Sequence, residues 1–200
     1  MRPNPYTPGA GFMPAYLAGR ETLIENAEEY LRSIKARYPQ QSVVYYGLRG
    51  VGKTVLLNQI EMSADNLGIL CTHIEAVEGV KGSKESRFTN QLVSAINKFL
   101  FELNSKTDTV ITKNYADDLT EFMVQLGKCA LHADEAICFF IDDVQYLSKR
   151  ELGELIVAIH RCNQLRLPVM AFCAGLPEIL KTAGESSPYA ERLFRFELVC

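Results

Sequence analysis

GLRGVGKT, residues 47–54, contains every fixed position of the pattern G-x-x-x-x-G-K-[ST], the signature of a phosphate-binding loop. The stretch lies between an apolar run at 42–46, which predicts a buried strand, and a helical pattern at 53–66. A strand, a glycine-rich turn and a helix in this order favour a nucleotide site over a turn that holds no ligand. We expect the site to be lined by Gly47, Leu48, Arg49, Gly50, Val51, Gly52, Lys53, Thr54 and Val55.

The residue types in this loop suit the chemistry of a triphosphate. Several backbone N–H groups must meet the phosphate oxygens at once, and glycines let the chain curve around them without a Cβ clash. The helix that begins near Lys53 points the positive end of its dipole at the same anion. We expect Lys53 to reach the β- and γ-phosphates, and the Thr54 hydroxyl to bind Mg²⁺.

An acidic motif follows the most strand-like run in the chain, Ile137-Cys138-Phe139-Phe140-Ile141-Asp142-Asp143. Carboxylates at the end of such a strand can hold the water shell of Mg²⁺ at the carboxyl edge of a parallel sheet. An aspartate at a strand end also serves local hydrogen bonding alone. Together with the phosphate-binding loop, the motif favours Asp142 as the Mg²⁺ residue. Asp143 is then placed to polarise an attacking water.

Strands alternate with helices of ten or more residues along the chain. Strands are predicted at 42–46, 69–74, 136–141, 169–174 and 194–199, and helices at 20–37, 53–66, 86–103, 118–133 and 149–164. The charged, glycine-containing stretch 75–85 is predicted to be an exposed loop. This alternation predicts a three-layer α/β P-loop sandwich with a five-stranded, mainly parallel sheet covered on both faces.

Composition narrows the class of protein. Two hundred residues with 48% hydrophobic and 22% charged side chains suit one globular domain. The net charge of −3 argues against a broad nucleic-acid surface, and the apolar runs are too short for a membrane helix. The six cysteines form no C-x-x-C pair, which disfavours a zinc site or a disulfide framework. We expect a reduced, cytoplasmic protein with no membrane contact.

Several segments together resemble bacterial AAA-type ATPases of the origin-recognition-like group. The segments are Asn4–Gly9, Leu17–Glu21, Tyr46–Leu57, Ala174–Glu178 and Tyr189–Phe194. The resemblance implies the strand order 5-1-4-3-2. The chain has no N-K-x-D or L-S-G-G-Q motif, and Asp142 is not followed by the D-x-x-G of GTPase switches, which favours ATP or ADP with Mg²⁺ as the cofactors.

The resemblance also implies further site residues. Leu17, Ala18, Gly19 and Arg20 become candidates for the adenine pocket, although Leu17 also suits a buried staple and Arg20 a surface ion pair at a helix start. Arg192 falls where such ATPases often place an arginine finger, and the alternative is an ordinary exposed arginine. Arg49 faces either phosphate or solvent, and the sequence leaves both open.

Three features depart from the family pattern. Asp143 stands where the family usually has glutamate, and one methylene less moves the carboxylate by about 1.5 Å, enough to weaken the positioning of a water. The expected polar residue near the end of the fourth strand is missing, since Phe172-Cys173-Ala174-Gly175 offers only a thiol. The helical lid is expected beyond Cys200. We therefore expect an irregular arm at 1–19 and a P-loop ATPase domain at 20–200 that lacks its C-terminal lid.

Two functions remain open at this point. An ATPase motor or loader is favoured by the two nucleotide motifs and Arg192, and it would act as a homo-oligomer. A slowly hydrolysing signalling switch is favoured by Asp143 and the missing polar residue. A small-molecule kinase has less support, because no arginine-rich lid is found. A DNA or protein partner is expected to bind through the region beyond Cys200.

Overall fold

The part of the chain that the structure describes contains five strands and six helices, which alternate except that two helices lie between the second and third strands. The computed structural model describes residues 19–78, 87–106, 118–186 and 193–200. The strands are β1 (Ser42–Tyr46), β2 (Leu70–Glu75), β3 (Ile137–Asp142), β4 (Val169–Gly175) and β5 (Phe194–Leu198). The helices are α1 (Glu21–Lys35), α2 (Lys53–Asn66), α3 (Arg87–Lys106), α4 (Leu119–His132), α5 (Lys149–Gln164) and α6 (Ile179–Ser186). A short 3₁₀ helix, Val144–Tyr146, follows β3.

The five strands form one sheet in the order β2-β3-β4-β1-β5, and every pair of neighbours is parallel. This confirms the predicted fold class and the strand order 5-1-4-3-2. Tyr46 at the end of β1 lies beside Gly175 of β4, and Asp142 at the end of β3 lies beside Glu75 of β2. The carboxyl ends of these strands therefore meet at one edge of the sheet.

Side chains of the central strands alternate between two cores, one on each face of the sheet. On the face under α1 and α2, Phe172 stacks between Tyr45 and Phe140, with ring centroids 6.3 and 5.6 Å apart. On the other face, Phe139 packs edge-on against Phe99 of α3 at 5.9 Å, in a core that α4, α5 and α6 share. Because both faces are covered, the three central strands β1, β3 and β4 are nearly continuous apolar sequences.

The helix boundaries differ from the predicted ones in a few places. α1 ends at Lys35, two residues early, because Arg37 adopts a left-handed φ of 65° that a helix cannot continue through. α3 continues to Lys106, three residues past its predicted end. The sequence pattern predicted neither the 3₁₀ helix nor α6. The latter has only eight residues and buries Ile179 and Ala183, too few for a clear helical period.

Two predicted segments fall largely outside the described residues. Only Gly19 of the predicted arm at 1–19 is described, and the predicted loop at 75–85 is described only as far as residue 78. Within the described ranges, no helix is both long and apolar enough to cross a membrane.

Candidate nucleotide-binding site

The loop between β1 and α2 owes its shape to its glycines. Gly50 and Gly52 have φ values of 81° and 85°, in the left-handed region that side chains with a Cβ rarely adopt. Gly47 has a different constraint, because a Cβ there would lie 2.2 Å from the carbonyl oxygen of Val199. The chain after β5 thus crosses the start of the loop, where the Val199 N–H donates to the Tyr46 carbonyl at 2.8 Å.

Lys53 is the buried cation of this loop. Its side chain is 9% exposed, and its Nζ donates to the carbonyl oxygens of Gly47 and Leu48 at 2.9 and 2.8 Å. Burial lowers the pKa of Lys53, while the nearby Asp142 and Asp143 carboxylates oppose that shift. The ammonium group is therefore held over the loop by neutral carbonyl oxygens, and a phosphate can replace these partners with a charged one.

The other loop side chains reach different surroundings. Leu48 and Thr54 are exposed, and Val51 and Val55 are half-buried. Arg49 donates from Nη2 to the Tyr146 hydroxyl at 3.0 Å, which links the loop to the 3₁₀ helix. From the sequence, Arg49 was expected to face either phosphate or solvent. In the structure it instead contacts Tyr146 at the protein surface.

Arg20 connects the start of α1 to the phosphate-binding loop. Its Nη2 donates to the Val51 carbonyl at 2.9 Å. Gly19, directly before it, has a left-handed φ of 73°. The structure thus brings one of the four candidate adenine-pocket residues, Arg20, into contact with the loop, through a hydrogen bond that neither alternative from the sequence included. Leu17 and Ala18 lie outside the described residues, as does Arg192.

Two carboxylates stand at the end of β3, across from Lys53. Asp142 is 5% exposed and accepts a hydrogen bond on Oδ1 from the Asp143 N–H at 2.8 Å. Asp143 leaves the strand with a left-handed φ of 55° and opens the 3₁₀ helix. Because both carboxylates act electrostatically on Lys53, the structure brings the three residues together at the carboxyl edge of the sheet.

Gln145 belongs to this site, although the sequence analysis did not single it out. Its Nε2 donates to Asp143 Oδ1 at 2.8 Å, and its Oε1 accepts from the Leu176 N–H at 2.9 Å. A glutamine two residues after an acidic pair is visible in the sequence, but its contact with a segment 31 residues away is not. Only the pairing of β3 with β4 brings Leu176 within its reach.

The donor set suits Mg²⁺ more than a softer metal. A hydroxyl at Thr54, a carboxylate at Asp142 and phosphate oxygens are the oxygen ligands that Mg²⁺ prefers, with several waters retained. Within residues 19–78, 87–106, 118–186 and 193–200, no cluster of three or more His, Cys, Asp or Glu side chains is arranged for a metal. A bound Mg²⁺ would therefore depend on the nucleotide for part of its ligand shell.

The profile of the AAA domain matches residues 36–181, which include the loop, β3, Gln145 and β4. Because this match covers more than half of the chain, the chain belongs to the AAA domain family and is a nucleotide-binding domain of the AAA ATPase type. Among curated proteins, no sequence matches the chain.

Solved structures share the fold at low sequence identity. Cdc6p from Pyrobaculum aerophilum has a TM-score of 0.61 at 15% identity, over 94% of this chain and 47% of that one. ORC2 from Aeropyrum pernix has a TM-score of 0.61 at 16% identity, over 96% of this chain and 50% of that one. AMPPCP-bound DnaA from Aquifex aeolicus has a TM-score of 0.53 at 18% identity, over 94% and 48%. These values confirm the origin-recognition-like fold, and this chain spans about half the length of each structure.

Proposed function

We propose that the domain binds Mg-ATP in the loop at 47–54 and hydrolyses it to drive or switch a conformational change in a larger protein. The observation that carries this proposal is Lys53, a buried ammonium group held only by loop carbonyls and faced by Asp142 and Asp143. A buried cation whose partners are neutral gains most from an anion. The AAA membership of the chain supports the same ligand.

Each residue of the site has a proposed task. The loop N–H groups and Lys53 hold the β- and γ-phosphates. Thr54 and Asp142 hold Mg²⁺, which when bound neutralises the charge that develops on the phosphates. Asp143 accepts a proton from, or orients, the water that attacks the γ-phosphorus. Arg20 stabilises the loop from α1 through its hydrogen bond to Val51.

A slowly hydrolysing switch is the second candidate, and one observation favours it. β4 ends in Gly175, so no side chain from β4 reaches the carboxyl edge at that position. Fewer polar groups around the attacking water would lower the turnover rate while leaving nucleotide binding intact. A switch then holds ATP or ADP for long periods.

The partners follow from the class of protein and remain part of the proposal. Relatives of the same fold include an Aeropyrum pernix ORC1 protein in complex with DNA and a DnaA bound to single-stranded DNA. The chain carries a net charge of −3, which disfavours a broad DNA-binding surface, so we place any DNA contact outside this domain. We also propose a cytoplasmic location. We further propose ATP-dependent self-association, measured by light scattering, and a turnover rate that falls when Arg192→Ala is made, measured by phosphate release.

Calorimetric titration of Mg-ATP tests the binding proposal. Lys53→Ala removes the buried cation, and we expect the dissociation constant to rise by about 100-fold, the effect of a lost charged contact. Lys98→Ala is the matched control, because Lys98 is an exposed lysine on α3. Equal affinity in wild type and Lys53→Ala would refute the proposed site.

Phosphate release over many turnovers separates the two functions. A motor releases phosphate on the order of once per second or faster and binds ADP weakly. A switch completes less than one turnover per minute, on the order of a hundredfold slower, and keeps ADP bound. Rapid multiple turnover by the protein would rule out the switch.

A further inference from the structure

Gln145 forms a bridge between the ends of two strands. It lies in the 3₁₀ helix directly after β3, and its side chain reaches the backbone just past β4. The amide nitrogen donates to Asp143 Oδ1 at 2.8 Å, and the amide oxygen accepts from the Leu176 N–H at 2.9 Å. Because Leu176 N–H is a donor only, it fixes the amide oxygen on its side and turns the NH₂ group toward Asp143.

The same bridge fixes the Asp143 carboxylate. Asp143 enters the site from a left-handed backbone, and its own N–H is engaged by Asp142 Oδ1 at 2.8 Å. With the backbone held on one side and Oδ1 held on the other, the carboxylate has little freedom to rotate. One oxygen is engaged by the glutamine, and the lone pairs of Oδ2 stay available for a water molecule.

At the end of β4, Gly175 packs closely against the 3₁₀ helix that contains Gln145. A Cβ at Gly175 would lie 2.8 Å from Val144 Cγ2 and 3.1 Å from Gln145 Oε1. The space that a side chain of β4 would need is thus already filled by the 3₁₀ helix. The polar group between the ends of β3 and β4 comes from Gln145 instead.

We propose that Gln145 is a positioning residue for ATP hydrolysis, which acts by holding the Asp143 carboxylate in the orientation that the attacking water needs. This inference rests on the proposed hydrolysis of ATP at the same site. In this proposal, Gln145 supplies the polar group that Gly175, which has no side chain, does not supply at the end of β4. Aspartate is one methylene shorter than glutamate, so a fixed orientation matters more for a carboxylate with less reach.

Two substitutions of Gln145 separate its two hydrogen bonds. Gln145→Glu keeps an acceptor for the Leu176 N–H but loses the donor to Asp143 and places a second carboxylate beside it. Gln145→Met keeps the length of the side chain and loses both hydrogen bonds. We expect each to lower kcat by at least about tenfold, the effect of misplacing a reacting group, while the dissociation constant for ATP changes less than about twofold. Gln164→Met, at the exposed end of α5, is the matched control and keeps wild-type turnover.

A double-mutant cycle tests whether Gln145 acts through Asp143. In an Asp143→Asn background we expect Gln145→Met to cause no further loss of kcat, because the carboxylate to be positioned is gone. Wild-type turnover in Gln145→Met would overturn the inference, and so would an equal loss in both backgrounds, since that loss is structural. If the wild-type protein itself binds Mg-ATP without hydrolysing it, the proposed hydrolysis fails, and the role of Gln145 fails with it.

Discussion

The phosphate-binding loop and the paired ends of β3 and β4 lie at one edge of the sheet, but they are built in different ways. The loop is made mainly of backbone. Gly50 and Gly52 take left-handed φ values, Gly47 leaves room for the Val199 carbonyl, and Lys53 is held by two loop carbonyls. All of these residues except Val199 fall within one short run of sequence.

The ends of β3 and β4 are made mainly of side chains. Asp142 accepts from the Asp143 N–H, Asp143 accepts from Gln145, and Gln145 accepts from the Leu176 N–H. The chain of contacts joins segments that are 31 residues apart. In the proposed mechanism, binding of phosphate depends on a local motif, whereas orientation of the water depends on how two strands pair. A sequence can therefore retain the phosphate-binding motif while the residues that orient the water change.

The largest expected effect of a single change lies at Asp143. Asp143→Asn keeps the size of the side chain, and its Oδ1 can still accept from Gln145, so the fold is retained while the charge is lost. We expect kcat to fall by about 10² to 10⁴, the usual contribution of a general base, with ATP affinity unchanged. Phosphate release measures the rate, and calorimetry measures the affinity.

Asp143→Glu is the matched control for that change. It keeps the carboxylate and adds a methylene, and we expect turnover at or above the wild-type rate. A wild-type rate in Asp143→Asn would show that the Asp143 carboxylate takes no part in hydrolysis.

The next largest effect, on both stability and ATP binding, is expected at Gly47, the first residue of the loop. Gly47→Ala places a Cβ 2.2 Å from the backbone oxygen of Val199, which no side-chain rotation relieves. We expect the free energy of unfolding to fall by about 3 kcal/mol, the upper range for overpacking, together with loss of ATP binding. Chemical denaturation measures the first quantity, and calorimetry the second.

Gly184→Ala is the matched control, because no atom lies within 4 Å of its added Cβ in α6. Alanine is the better helix former, so this variant should be slightly more stable than wild type. Wild-type stability and affinity in Gly47→Ala would contradict the close approach of Val199.

A smaller effect is expected where α1 meets the loop. Arg20→Ala removes the hydrogen bond to the Val51 carbonyl, a partly buried contact of a charged donor. We expect ATP affinity to fall by about fivefold, which corresponds to about 1 kcal/mol. Arg32→Ala, which breaks an exposed i,i+4 pair with Glu28 on the same helix, should leave the affinity unchanged. Equal effects of the two changes would mean that Arg20 acts only as a surface charge.

The smallest expected effect is on the pH dependence of stability, and it comes from His73 on the edge strand β2. The hydrogen bond that His73 Nδ1 donates to the Glu61 carboxylate raises the pKa of His73, with the Asp142 and Glu75 charges acting in the same direction and burial opposing them. The raised pKa stabilises the fold fully below the ordinary value near 6.5, and this contribution is lost as pH rises through the higher folded pKa. Because His73 is partly exposed, we expect a loss of no more than about 0.5 kcal/mol.

Thermal unfolding of wild type and His73→Gln between pH 6 and pH 8 measures this effect, a range chosen from the ordinary histidine pKa of about 6.5. The variant should show a flatter dependence of stability on pH. Its affinity for ATP at constant pH should equal that of wild type. A large change in affinity would show that β2 and the loop are coupled.

The sequence predicted the fold because the central strands β1, β3 and β4 are short and apolar, and because helices of clear period separate the first four strands. All five strands and the first five helices lie within a few residues of their predicted bounds. The position of the glycine-rich loop between β1 and α2 was predicted, since its glycines lie close together in the chain. The role of Gln145 and the presence of α6 were not predicted, for two different reasons. The partner of Gln145 is remote in sequence, and α6 buries too few apolar residues to show a period.

A crystal structure of the domain with Mg²⁺ and a non-hydrolysable ATP analogue tests the central claim most directly. The account predicts that Lys53 Nζ leaves the carbonyls of Gly47 and Leu48 for the β- and γ-phosphate oxygens, while Mg²⁺ lies near Thr54 and Asp142. A structure in which the analogue binds elsewhere, or in which Lys53 keeps its loop carbonyls beside a bound analogue, would contradict it.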